Sequence, residues 1–427
     1  MGGAERQRFE ADVRARFDSV AELCMELIRT PSENPPGDTG ELATLIETKL
    51  SAHPLISVKR VVARAPAVNL IAKVVGSQAG RRLIMNGHLD TFPAGNLAGW
   101  TVDPFRGVVR GGRMYGRGAA DMKAGLAVAI FTALLIAEHR HALGGELVLT
   151  LVGDEETGGE WGTQYLLATE PDAIGDAMIN GDAGSPDVLR FGEKGQLWIE
   201  VEARGKSHHG AHVHLGDNAI ETLMSALTRL LQLRDLACPI PDGIRQAIRA
   251  AGPRSELVSG AGETHALQKV TVNLGTIDGG TSVNLIPDLA VARADIRFPP
   301  GLGVSDLMAG IDRLIGGWRN VSVKVLSSSE PNWTDPDHEI VLRTIANATV
   351  FLGAPPERNM RLGFSDSRFY RYRSVPSIVY GPVPHNMGGP DEYVTLADLR
   401  AVFYVHAMTV FDYLASEQEQ QALPNRR

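Results

Sequence analysis

Cysteine is nearly missing from this 427-residue sequence: Cys24 and Cys238 are the only two. They lie far apart and form no CxxC pair, so neither a disulfide framework nor a thiolate metal site is indicated, and a reducing, cytoplasmic setting is expected. Excess positive charge is also missing. The formal net charge is -8 and the arginines are scattered, with none of the basic stripe that nucleic-acid phosphates require. No apolar run is long enough to cross a bilayer, which takes ~20 residues; the longest, Gly125 to Ala137, reads as a buried helix. The charged stretch from Met1 to Arg16 lacks the apolar core of a signal peptide. Nucleic-acid binding, membrane insertion and secretion are therefore not expected, and small-molecule substrates are.

What is present is an ordinary globular composition, 44% hydrophobic and 22% charged. The chain is longer than one core comfortably supports, so two domains are expected. Helical spacing over Val13 to Thr30 ends at Pro31, Pro35, Pro36 and Gly37. Strand-like runs follow at Leu55 to Ala63, Asn69 to Val75 and Arg82 to Asn86, then a helix from Lys123 to about Arg140 and a strand from Glu146 to Val152. Strands alternating with helices imply an α/β domain with a mixed, partly parallel sheet, whose active residues gather at strand ends. The rhythm changes after Asp182. Alternating strands at Gly195 to Ala203, Lys269 to Ile277 and Leu289 to Arg297, with an amphipathic helix from Asp217 to Arg234, suggest a smaller inserted α+β unit over 191–302. The α/β rhythm is read as resuming with a helix from Ser305 to Trp318 and a strand from Ser322 to Leu326, so residues 1–190 and 303–427 form the first domain. The tail from Glu417 to Arg427 is polar and reads as frayed.

Three motifs carry chemistry. Asn86-Gly87-His88-Leu89-Asp90 ends an apolar strand in a glycine-containing loop, where His88 can offer a ring nitrogen to a metal and Asp90 can take the other N–H. A plain surface turn fits that pentapeptide equally well. Gly116-Arg117-Gly118-Ala119-Ala120-Asp121-Met122-Lys123 approaches a helix but lacks the spacing of a phosphate-binding loop. Asp121 reads by default as a helix N-cap, and a carboxylate there can also reach a metal. In Gly153-Asp154-Glu155-Glu156-Thr157-Gly158-Gly159, three consecutive acids at a strand end repel one another, and a cation explains them better than a solvated face does. Asp182 follows the short run Ala177 to Asn180 in the same manner; taken singly it is a turn residue. Histidine and carboxylates without thiolate suit Zn²⁺, Mn²⁺ or Co²⁺, and an ion of this kind acidifies water for attack on a carbonyl.

These motifs, in this order and at these separations, resemble the metallopeptidase and deacylase family that includes acetylornithine deacetylase, succinyl-diaminopimelate desuccinylase and bacterial glutamate carboxypeptidase. The resemblance runs from the opening helix to Asp398. It implies a catalytic α/β domain interrupted by a lid or dimerisation domain, and a homodimer or higher homo-oligomer. It makes His88, Asp121 and Asp182 ligands of one ion, with Asp121 bridging to a second that Glu156 also holds, so one or two ions per subunit. Asp90 would orient His88, and Glu155 would be the general base. Gly205-Lys206-Ser207-His208-His209-Gly210 matches a family segment, which makes His209 the residue that reaches a partner's active site. Asn284 and Arg297 match positions that hold a substrate carboxylate, with a turn and an ion pair as their ordinary roles; Ser365-Asp366-Ser367-Arg368 matches a further family segment near the substrate, which makes Arg368 a secondary candidate for binding an anion. His208, His212 and His214 read as solvent-facing loop residues. One departure stands out. The family's last metal-ligating histidine lies four residues before a glutamate, here Glu392, and Gly388 holds that place. Either the loop bends so that His385 serves instead, or the second site near Glu156 is weak or empty.

The leading function is hydrolysis of a C–N bond in a small carboxylate-bearing substrate, by N-deacylation or dipeptide cleavage. The altered histidine segment also fits an aminohydrolase that releases ammonia from an aromatic amine, as in the related 5-nitroanthranilate aminohydrolase. A non-catalytic binding protein on the same fold would have no need of Glu155.

Overall fold

The structure, a computed structural model, describes residues 2–415; the tail from Glu417 to Arg427 lies outside the described residues. The chain divides into two compact units, one formed by residues 1–191, 333–359 and 364–427, the other by 192–332 and 360–363.

The first unit is built on a mixed sheet whose strands run, side by side, Ile56–Arg64, Ala67–Val75, Gly144–Val152, Gln78–His88, Ala177–Asn180, Ser377–Val379 and on to Val188–Glu193. The four strands from Gly144–Val152 to Ser377–Val379 are mutually parallel, and antiparallel pairs flank them. The fold is thus the mixed, partly parallel α/β class expected from the sequence. Strand character follows burial. Leu83 to His88 and Ala177 to Asn180 are buried at every position, as near-continuous apolar runs covered on both faces must be, whereas Ile56–Arg64 alternates at the sheet's edge. The helix Ala124–Glu138 is apolar on all sides because it is enclosed on all sides. By length and composition the stretch Ala119–Glu138 could cross a membrane, yet 83% of that window is buried inside the protein.

The second unit is a four-stranded antiparallel sheet in the order Thr271–Gly279, Leu289–Phe298, Gly195–Arg204, Val321–Ser329. Leu197, Ile199 and Val201 on one face of the sheet pack with Leu223, Leu227 and Leu230 of the helix Ala219–Leu230. That leucine stripe is buried inside its own unit and supplies no surface for pairing subunits. The unit also extends beyond residue 302, to 332, because Val321–Ser329 pairs with Gly195–Arg204 and Leu307 and Ile311 join the same core. The helix and strand read from sequence as a return to the α/β rhythm belong here instead.

The strands Gln78–His88 and Gly144–Val152 shift register at their start, where their backbones come closest. Gly145 makes this possible. Its φ is +81°, and a Cβ there would lie 1.9 Å from the Arg81 carbonyl oxygen. Gly145→Ala should therefore cost at least about 2 kcal/mol, combining left-handed strain with overpacking. The unfolding midpoint is expected to drop by roughly 2 °C or more; a wild-type midpoint in calorimetry would show that the backbone can relax there.

Candidate active site

Three adjacent parallel strands share a register, with Asn86 beside both Thr150 and Asn180; two of them end together, His88 beside Val152, and the third ends two residues earlier at Asn180. Their carboxyl ends deliver His88, the turn Glu155–Thr157 and Asp182 to one place, where an open α/β sheet forms its crevice. Side chains pin this register from below. Asn86 Nδ2 donates to Thr150 O, Thr150 Oγ1 and Thr163 Oγ1, each at 3.2 Å, and Asn180 Nδ2 donates to Asn86 Oδ1 at 3.0 Å. Asn180 Oδ1 in turn accepts from the Asp182 N–H at 2.7 Å. Asp121 arrives from the other side, on the turn Ala119–Lys123 that leads into the buried helix. One ligand atom from each of His88, Asp121 and Asp182 lies within 4.8 Å of the others.

His88 Nε2 is 2.9 Å from Asp121 Oδ1, and Nδ1 is 2.8 Å from the backbone oxygen of Asp90. The hydrogen bond to that backbone oxygen keeps the proton on Nδ1 and turns Nε2 toward Asp121 and Asp182. The Asp90 carboxylate was expected to orient the ring, but its nearest oxygen stands 3.7 Å from Nδ1. It instead accepts from Asn34 Nδ2 at 2.9 Å and from the Glu155 and Glu156 N–H groups at 3.2 Å each. Asp90 thus orients the ring with its main chain and holds the Glu155–Glu156 turn with its side chain.

The site concentrates negative charge away from water. Burial, reinforced by Asp366 and Asp182, holds the Glu155 carboxyl well above its usual range, although His88 and Arg368 oppose this. Burial and then Asp121 push Glu156 upward in the same way. Burial works against a charged His88, but its hydrogen bond to Asp121 and the surrounding carboxylates outweigh that and raise its pKa. Glu156 Oε1 is buried without a hydrogen-bond partner. Mutually repelling buried carboxylates beside an imidazole and an orphaned carboxylate oxygen form an oxygen- and nitrogen-rich donor set that a divalent cation satisfies.

A model of peptidase family M20/M25/M40 matches residues 84–412, a span that includes all of these groups. The chain belongs to peptidase family M20/M25/M40. It is 30% identical to a succinyl-diaminopimelate desuccinylase of Gluconacetobacter diazotrophicus over 90% of this chain and 94% of that protein. The fold matches an M20 metallo-carboxypeptidase of Sulfolobus solfataricus with TM-score 0.74 at 19% identity, covering 90% and 97% of the two chains. It also matches a dinuclear metal-binding M20 peptidase of Bacillus subtilis with TM-score 0.64 at 13% identity, covering 93% and 98%. As a member of this family the protein is a metal-dependent hydrolase.

Sequence reasoning missed the support beneath Asp121. Glu392, almost fully buried, accepts from the Ala120 N–H at 2.8 Å and the Asp121 N–H at 3.3 Å. Its other oxygen pairs with buried Arg117, whose Nη2 donates to the carbonyls of Gly388 and Gly389 at 3.0 and 3.1 Å. Both residues sit inside motifs that were noticed, but nothing in either motif says that they pair across 275 positions. Asn86 and Asn180 were likewise visible only as strand residues. His385 does not join the His88, Asp121 and Asp182 group. Its ring lies flat on Tyr393, with centroids 4.3 Å apart and planes 6° apart. Arg368 is buried against Phe364 and Phe369 and acts electrostatically on Glu155 and Asp366.

The remaining predicted residues lie in the second unit. There the His209 loop and Asn284 are neighbours, joined by Gly210 N donating to Asn284 O at 2.7 Å. His209 Nδ1 accepts from the Ala211 N–H at 3.1 Å, and Asn284 Oδ1 accepts from Ser282 at 2.6 Å. Arg297 pairs with Asp295 at 3.2 Å and donates to the Leu362 carbonyl at 3.1 Å.

Two outcomes follow from the family site as built here. Arg117→Leu leaves Glu392 buried without its cation, which should cost about 3–5 kcal/mol and loosen the Asp121 turn. A lowered unfolding midpoint together with metal lost on dialysis is expected, and wild-type values in both would show that the pair is dispensable. The second outcome concerns pH. Burial raises the Asp366 carboxyl from 3.8 to about 7 and the Asp154 carboxyl to about 6. The folded state therefore keeps protons that the unfolded chain has already lost. Their contribution to stability is full near and below about pH 4 and is lost as pH rises to about 7. Metal-free protein should lose stability across that window, and Asp366→Asn should flatten the slope; an unchanged slope in the variant would remove Asp366 as its source.

Proposed function

We propose that this protein hydrolyses the amide bond of a small, carboxylate-bearing N-acyl amino acid or dipeptide, with Glu155 as the general base. The observation that carries the reading is the convergence of His88, Asp121 and Asp182 on one point, close enough to Glu155 for His88 and Asp182 to act on its carboxyl. These three residues would hold a divalent ion, Zn²⁺, Mn²⁺ or Co²⁺ by the chemistry of their nitrogen and oxygen donors. Such an ion supplies Lewis acidity, polarising the carbonyl under attack and bringing the pKa of water down toward about 7.

The chain's own residues supply the rest. Glu155 takes the proton from the attacking water and hands it to the departing nitrogen, as a carboxylate held at the site can do. Asp90 keeps Glu155 in reach by binding the main-chain N–H groups of Glu155 and Glu156. Arg368 is assigned, by the family resemblance, to the substrate's acid group, and two phenylalanine rings hold its guanidinium in position. His209, Asn284 and Arg297 of the second unit are assigned, by the family resemblance, to polarising the scissile group and binding the substrate's acid group. Deacylation is the favoured reaction, supported by desuccinylases among the relatives near 30% identity.

The test is to load the protein with Zn²⁺, Mn²⁺ or Co²⁺ and assay N-succinyl and other N-acyl amino acids, dipeptides and aromatic amines. Glu155→Gln should lower kcat by about 10²–10⁴ while leaving bound metal unchanged. A variant that keeps its rate would remove Glu155 from the chemistry, and ammonia released from an aromatic amine with no amide cleaved would redirect the reaction class.

A further inference from the structure

We infer that the active site is built to hold one divalent ion per chain rather than a pair. The inference rests on the metal-binding reading just given and narrows it. His88, Asp121 and Asp182 make one complete three-donor set, with their ligand atoms gathered within 4.8 Å. A catalytic ion with three protein ligands keeps a position open for water or substrate.

A second ion needs a second set. Asp121 would have to be shared, and Glu156 could offer its buried, unpartnered oxygen. A third donor would have to come from the loop that approaches the Asp121 turn, and the hydrogen bonds tether that loop at the carbonyls of Gly388 and Gly389, neither of which carries a side chain. The Gly388 carbonyl is held by Arg117, Arg117 pairs with Glu392, and Glu392 accepts from the Asp121 N–H. Position 388 is therefore tied through two side chains to the main chain that carries Asp121, and it is a glycine with no donor to offer. Its φ is +73°, and a Cβ built there meets nothing nearer than the Phe92 ring at 3.6 Å. The neighbouring imidazole does not substitute for it, because His385 is stacked on Tyr393 and, among the described residues, joins no cluster of three possible ligands. A second ion would have Asp121, already committed to the first, and one oxygen of Glu156. Two oxygen donors, one of them shared, are too few to compete with water for a tightly held ion.

The experiment counts ions without relying on turnover. The full-length protein is loaded with excess Mn²⁺ or Zn²⁺, dialysed against metal-free buffer, and its metal per chain measured by mass spectrometry; the Mn²⁺ form is also examined by electron paramagnetic resonance. One ion per chain and the hyperfine-split signal of isolated Mn²⁺ are expected. Two ions with an exchange-coupled signal would overturn this inference and leave the metal-dependent reading intact, whereas no retained ion would overturn both. Gly388→His should raise the count from one to two, with Gly388→Ala, which shares its backbone strain, remaining at one. A Gly388→His protein that folds normally and still holds one ion would remove the missing side chain as the cause and overturn the argument. The wild-type count decides the matter even if the histidine variant does not fold.

Discussion

The shared register of the parallel strands is the constraint on which the rest of the molecule depends. Hydrophobic burial on both faces brings Gly144–Val152, Gln78–His88 and Ala177–Asn180 together, but burial alone does not choose a register among apolar residues. The register is specified by polar groups in an otherwise apolar layer. Asn86 bridges Thr150 and Thr163, Asn180 bridges Asn86 and the Asp182 main chain, and Thr163 donates to Asp366 at 2.7 Å. A slip of one residue would leave several buried amide groups unpaired, at about 1–3 kcal/mol each. The same network therefore selects the fold's register and sets the spacing of the site above it.

A second consequence is electrostatic. The shared register also brings acids together near the strand ends, and Asp90, Asp121, Glu155, Glu156, Asp182 and Asp366, buried or half-buried, act on one another or on His88. The protein meets part of this charge itself. Main-chain N–H groups bind Asp90 and Glu392, Arg117 pairs with Glu392, and Arg368 stands near Glu155. The remainder is a cation requirement, and it makes the site and its metal parts of one structural argument. Charge neutralised by hydrogen bonds stays fixed in place, whereas charge left for an exchangeable ion is available for chemistry.

Much of this was legible in the chain. Apolar runs bounded by glycine marked the central strands, and the acids placed just after them marked the sheet's active end, because a strand buried on both faces cannot carry charges before it terminates. The second unit was legible as a change from continuous apolar runs to alternation. Its far boundary was not, since Val321–Ser329 looks like any short strand until its partner, Gly195–Arg204, is known. The helix Asp242–Ser259 was also hidden, because Pro253 inside it removes a hydrogen-bond donor and reads as a break. Proximity in sequence pointed to His385 as a ligand, and the stacking on Tyr393 that takes it elsewhere depends on a bridge between residues 385 and 393.

By itself the sequence determined which residues could act: the histidine and carboxylates, their placement after strands, the lack of thiolate, and the glycine standing where a histidine was expected. Those are properties of residue type and local spacing, which hydrophobic periodicity and donor chemistry make readable along one dimension. Only the tertiary structure decided how many of them meet. It brought His88, Asp121 and Asp182 within 4.8 Å, gave Asp90 the task of holding the Glu155 turn, and buried Arg117 against Glu392 beneath Asp121. Ligation and charge pairing depend on distances of a few ångströms between residues separated by tens to hundreds of positions, and those distances exist only once the strands have paired.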